Sequence, residues 1–72
     1  MKIRLQELLQ EKAQREGRDS ITQEEVVAAT GISRPTVSDW LRDRVDRLDR
    51  RTIVKFCDYL DCQIGDLLVL ER

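Results

Sequence analysis

Seventy-two residues suffice for one small domain with one core, because a chain of this size buries only about 60% of the surface it exposes when unfolded. With 40% apolar and 38% charged residues, three aromatics and no histidine, the composition excludes a disordered tail and lacks the side chain on which general-base, triad and most zinc chemistry rely. The formal net charge is −1, and no signal-peptide pattern or 18-residue apolar run is present, so the expected protein is cytoplasmic, bound to no membrane and not an enzyme.

In chain order, Leu5, Leu8, Leu9, Lys12, Ala13 and Glu16 share one helical face, with Gln6, Glu7, Gln10, Glu11 and Gln14 opposite. This spacing predicts an amphipathic first helix ending at Gly17. The preceding "MKIRL" alternates polar and apolar residues, which leaves a short extended start open. After a "GRDS" loop, Thr22 and Glu25 form a capping-box pair, and Ile21 and Val26 stand where a hydrophobic staple sets the approach to a second helix. That helix runs through Val26, Val27 and Ala29 and stops at Gly31, where a left-handed turn suits glycine.

A third helix begins almost at once. Ser33 is a favourable N-cap, and Pro35 falls in the first turn, where a missing N–H removes no intrahelical bond. Val37, Trp40 and Leu41 make the inner stripe, leaving Arg34, Pro35, Ser38, Asp39 and Arg42 outside. Two short helices joined by a tight glycine turn over residues 22–42 are the helix-turn-helix arrangement, in which the outer face of the second helix enters the DNA major groove.

Further along, Asp49 is placed to cap a fourth helix, with Leu48 and Ile53 as its staple and Arg50 and Arg51 in its first turn. Arginines there oppose the helix dipole, a small cost that is offset where phosphate lies nearby. Ile53, Phe56, Cys57 and Leu60 repeat at i, i+3, i+4 and i+7, so this helix is expected to close the core over Trp40 and the first helix, with Tyr59 off the stripe. Asp61 and Cys62 break the pattern. Asp66 then serves as the acidic third residue of a short fifth helix holding Leu67 and Leu68, and "LLVLER" offers more apolar residues than that helix can bury.

Cys57 and Cys62 lack the two-residue gap of zinc or redox motifs. Five positions apart on a helix, they point about 140° from one another at 100° per residue, so both are expected to be buried packing residues. No metal, cofactor or small-molecule ligand is expected.

The segment "TQEEVVAATGISRPTVSDWL" resembles the helix-turn-helix of phage-repressor-like (Cro/C1-type, XRE) transcriptional regulators, and "LDRRTIVKFCDYLDCQIGDLL" resembles the second half of the same family. The resemblance spans roughly residues 3–70 and implies an all-α, compact five-helix domain whose partner is double-stranded DNA. By position it implies phosphate contacts at Thr22 and Gln23, a recognition helix headed by Ser33 with Arg34, Pro35 and Asp39 facing the groove, and Thr36, Ser38 and Arg42 at the edge of that footprint. Two departures stand out. Val27 occupies a place where the family prefers alanine because two helices approach closely, and Pro35 replaces a position that often carries a hydrogen-bonding side chain.

The residue chemistry adds detail. Arg34 has a planar fork that matches guanine O6 and N7, and Asp39 accepts from cytosine N4, which suggests a G·C-containing half-site. A contact between Arg34 and Asp39, or a merely solvated face, is the competing reading. Residues 34–55 carry seven basic and four acidic side chains, a local +3 against −4 elsewhere. Arg44 and Arg50 belong to this basic edge, which is expected to meet phosphates. "RDRVDRLDRR" admits a second reading as a solvated surface laced with weak ion pairs.

These expectations describe a sequence-specific transcriptional regulator, acting as a repressor by occluding a promoter. The alternative is a protein-interaction module such as the antitoxin half of a toxin–antitoxin pair. One helix-turn-helix reads too few base pairs to stand out from roughly 10⁶ or more genomic sites, so a homodimer is expected. Its seam is expected at Ile64, Leu67, Leu68, Val69 and Leu70.

Overall fold

Ile3 and Leu68 face one another across a two-residue antiparallel ribbon, β1 (Lys2–Ile3) with β2 (Leu68–Val69), which ties the two ends of the fold together. In the computed structural model, residues 1–70 are described; Glu71 and Arg72, the end of the apolar tail, lie outside the described residues. Between the strands run five helices: α1 (Leu5–Arg15), α2 (Gln23–Thr30), α3 (Arg34–Leu41), α4 (Arg50–Leu60) and α5 (Ile64–Leu67). The five-helix expectation holds, and the alternation in "MKIRL" resolves as the first strand of the ribbon. Here the backbone N–H of Ile3 donates to the Asp43 carboxylate at 3.3 Å and that of Arg4 to the Leu67 carbonyl at 2.8 Å.

Each helix ends for a local reason. Gly17 and Gly31 take φ of 69° and 73°, the left-handed conformation that glycine enters without a side-chain clash. Arg18 N–H reaches back to the Ala13 carbonyl at 2.8 Å, closing the last turn of α1. Two aspartates do the same work at the ends of α3 and α4. Asp43 and Asp61 adopt φ of 57° and 53°, and Arg44 N–H and Cys62 N–H bond to the carbonyls of Asp39 at 2.9 Å and Cys57 at 3.0 Å. Asp and Asn tolerate this region better than other side chains because their short polar groups bond locally.

The helix starts match the sequence unevenly. Thr22 caps α2, its hydroxyl accepting from Glu25 N–H at 3.2 Å. The Glu25 carboxylate does not complete the box; it pairs with Arg18 instead. Ser33 occupies the N-cap of α3, yet its hydroxyl donates to Thr36 Oγ1 at 2.9 Å rather than capping the backbone. At α5, Gln63 N–H donates to the Asp66 carboxylate at 3.0 Å, as the acidic third position predicts.

The core gathers one stripe from every element. Leu5, Val26, Val37, Phe56 and Leu67 are fully buried, with Ile3, Leu8, Leu9, Ala13, Ile32, Trp40 and Leu60 almost so. Trp40 of α3 meets Phe56 of α4 at a centroid separation of 4.9 Å and an interplanar angle of 49°, a tilted geometry that favours the edge-to-face attraction between rings. That pair seats α3 against the rest of the fold. Val27 lies half-buried against the same cluster. Tyr59, off the α4 stripe, packs on the core edge with the Lys12 ammonium 5.0 Å from its ring centroid.

Two expectations are corrected. Leu67, the last residue of α5, is 0% exposed in the core, and Leu68 is half-buried within the ribbon opposite Ile3, so neither is free to form a dimer seam. The two thiols are half-buried rather than buried and do not point apart, because α4 stops at Leu60 and the left-handed Asp61 folds Cys62 back toward Cys57. Burial, reinforced by the neighbouring Cys57 thiol, pushes the Cys62 thiol up to about 11.

Candidate nucleic-acid interface

The outer face of α3 follows from its inner one. Val37 and Trp40 are locked in the core, so the 100° step per residue turns Arg34, Pro35 and Asp39 into solvent, with Thr36 and Ser38 half-exposed on the flanks. Arg42, also exposed, closes the helix through its N–H to the Ser38 carbonyl at 3.0 Å. Thr22 and Gln23 open the neighbouring helix beside them. The Gln23 side-chain amide donates to the Arg34 carbonyl at 3.2 Å, so one of its N–H groups already fastens the start of α2 to the start of α3.

Arg34 and Asp39 do not pair. The guanidinium of Arg34 instead meets Glu24 of α2, Nη1 to Oε1 at 3.2 Å, with both side chains 62% exposed. This contact is not legible in the sequence, since ten positions and a turn separate Glu24 from Arg34 and no helical spacing relates them. Beside α3, Thr36 and Asp39 share an open cleft with Arg44, Arg47, Asp49 and Thr52. Arg47 is a site residue that sequence reasoning missed; it stands in the basic segment, but only the fold aligns it with the recognition helix. The Asp49 carboxylate in that cleft accepts from the Thr52 hydroxyl at 3.0 Å, and this bond holds it below the usual carboxylate range.

The cations divide into two populations. Around α1 and its turn they are engaged: Lys2 and Arg4 with Glu7, Arg4 with Glu11, Lys12 with Glu16, and Arg18 with Glu16 and Glu25. From Arg42 to Lys55, none of Arg42, Arg44, Arg47, Arg50, Arg51 or Lys55 makes an ion pair with a described residue. The aspartates interleaved among them therefore do not neutralise them by contact. Arg50 stands apart from the other expected contacts, in a second groove with Leu48, Val54 and Ile64 on the outer side of α4.

A small helical fold that presents the exposed face of the second of two tightly joined helices, flanked by unpaired arginines, is that of a helix-turn-helix DNA-binding domain. A family model for the Cro/C1-type HTH DNA-binding domain matches residues 4–72, and the chain belongs to that family. No curated protein matches it significantly. No solved structure does so either. Among the described residues, no helix is long and apolar enough to cross a membrane, and no three His, Cys, Asp or Glu side chains are grouped to hold a metal ion.

Proposed function

We propose that this domain, with residues 22–42 as its reading head, binds a specific duplex site in the cytoplasm and represses transcription by occupying a promoter. One observation carries the reading: Arg44 and Arg47 share the cleft of Thr36 and Asp39 beside α3, and these two, with Arg42 at the end of that helix, make no ion pair with a described residue. Phosphates supply what those cations lack, and counterion release makes such contacts favourable even from a chain of net charge −1. Thr22, Arg42, Arg44 and Arg47 position the domain on the backbone, with Gln23 acting mainly by bracing Arg34. Arg34 reads guanine and Asp39 cytosine, while Thr36, Ser38 and the Ser33 hydroxyl line the edge of the footprint.

One such domain covers few base pairs, so the acting species is a homodimer on an inverted repeat, its two α3 helices in successive major grooves about 34 Å apart. Selection of bound sites from a random duplex pool tests the reading. A palindromic, G·C-containing consensus is the expected result, whereas no enrichment at low salt would refute it and leave the antitoxin-like interaction module.

A further inference from the structure

The outer groove of α4 supplies a seam to replace the one that the core and the ribbon remove. Leu48, Val54 and Ile64 are 40%, 50% and 56% exposed, and together with the edges of Ile53 and Cys57 they line an apolar groove of ≈ 500 Å³. Arg50 and Asp58 also line it. Neither makes an ion pair with a described residue. Along α4, Arg50, Val54 and Asp58 are spaced at i, i+4 and i+8, so they lie in one row with Val54 midway and each charge about 6 Å along the axis from it.

The order of these charges is wrong for an isolated helix. A cation in the first turn and an anion in the last both oppose the helix dipole, and α4 carries no acid in its first turn and no base in its last. An antiparallel copy reverses the order. From this row we infer that two copies of the chain dock α4 against α4 about a two-fold axis at Val54, so that Arg50 of each faces Asp58 of the other. Each charge then stands at the favourable end of the partner's helix. A two-fold interface is self-complementary by construction, and this row is its own complement only in the antiparallel sense. The apolar patch of Leu48, Val54 and Ile64 closes beneath the pairs, removing from water the side chains that the intrachain core leaves out. Arg50 thereby passes from the DNA contacts expected from sequence to the subunit contact.

The seam rests on the homodimer proposed above, but its test does not use DNA. Sedimentation equilibrium of the full chain, from micromolar to millimolar concentration, should show a monomer–dimer equilibrium. Arg50→Glu and Asp58→Arg, alone, should each weaken it by roughly tenfold or more, since each puts like charges together twice. The double variant Arg50→Glu/Asp58→Arg should recover dimerisation, and Val54→Glu should abolish it with the helical circular dichroism unchanged. A parent that stays monomeric at millimolar concentration, single variants that dimerise like the parent, or a double variant that fails to recover would each overturn the seam. A parent that dimerises in this pattern yet has no affinity for duplex DNA supports the seam and refutes the DNA reading; a monomer that binds its site does the reverse.

Discussion

Glu24 restrains the residue that the proposed function uses most, so replacing it with glutamine should strengthen DNA binding while slightly weakening the fold. The Arg34–Glu24 pair spans 3.2 Å with both partners 62% exposed, and exposed pairs of this kind are worth about 0.2–1 kcal/mol. A guanidinium that no longer has to leave that carboxylate gains the same amount toward DNA, or roughly 1.5- to 5-fold in affinity. The gain should shrink as added salt screens the pair, over a Debye length of about 10 Å at 0.1 M. Stability should move the other way, because an acid in the first turn of α2 contributes about 0.3–1 kcal/mol against the helix dipole. Fluorescence anisotropy on the selected site, with Glu24→Gln, Arg34→Ala and the double variant, closes a cycle. In the Arg34→Ala background, most of the benefit of Glu24→Gln should disappear. An unchanged or weaker affinity for Glu24→Gln in the parent background would show that Arg34 is not held back from DNA by this contact, and the placement of α3 would have to be revised.

Arg34→Ala alone should cost about 1–3 kcal/mol on the preferred site and relax selectivity at one base pair; uniform weakening across sequences would reduce Arg34 to a phosphate contact. Gly31→Val should destabilise by more than about 1 kcal/mol in thermal melts, with Gly31→Asn much milder. Nothing lies within 4 Å of the added Cβ, so the φ of 73° alone sets the penalty, and an unchanged Tm for the valine variant would refute it. Glu7 and Glu16, held low by hydrogen bonds from Arg4 and Lys12, and Asp49, held low by Thr52, favour the folded state above their ordinary values of 4.5 and 3.8. That contribution is lost as these groups protonate, so Tm should hold from neutral pH to about 5 and fall below about 4; a Tm that rises on acidification would contradict these bonds. Cys62, raised to about 11 from 9.0, should be alkylated by iodoacetamide at pH 8 roughly a hundredfold more slowly in the folded protein than in denaturant. Equal rates would mean that its thiol is not shielded.

Features set within a turn or two of a residue were legible before any packing was known. Glycines mark the ends of α1 and α2, Thr22 caps α2, and the apolar stripe of Val37, Trp40 and Leu41 dictates the outward face of α3, because helix caps and the 3.6-residue period are local properties. The existence of all five helices and the list of exposed residues on α3 were legible for that reason. The tertiary structure decided the pairings across distance. Whether Ile3 would meet Leu68, whether Arg34 would turn to Glu24 or Asp39, and whether Arg50 would join Arg44 or the far groove depend on how helices pack, and no spacing within one helix encodes that. Leu67 shows the limit most directly: an apolar residue near a chain end reads equally well as an unclaimed surface or as core, and only the packing of α5 onto the other helices makes it core. Cys57 and Cys62 show the same limit over five residues, since a helix carried past Leu60 would separate the thiols, and the left-handed turn at Asp61 brings them together instead.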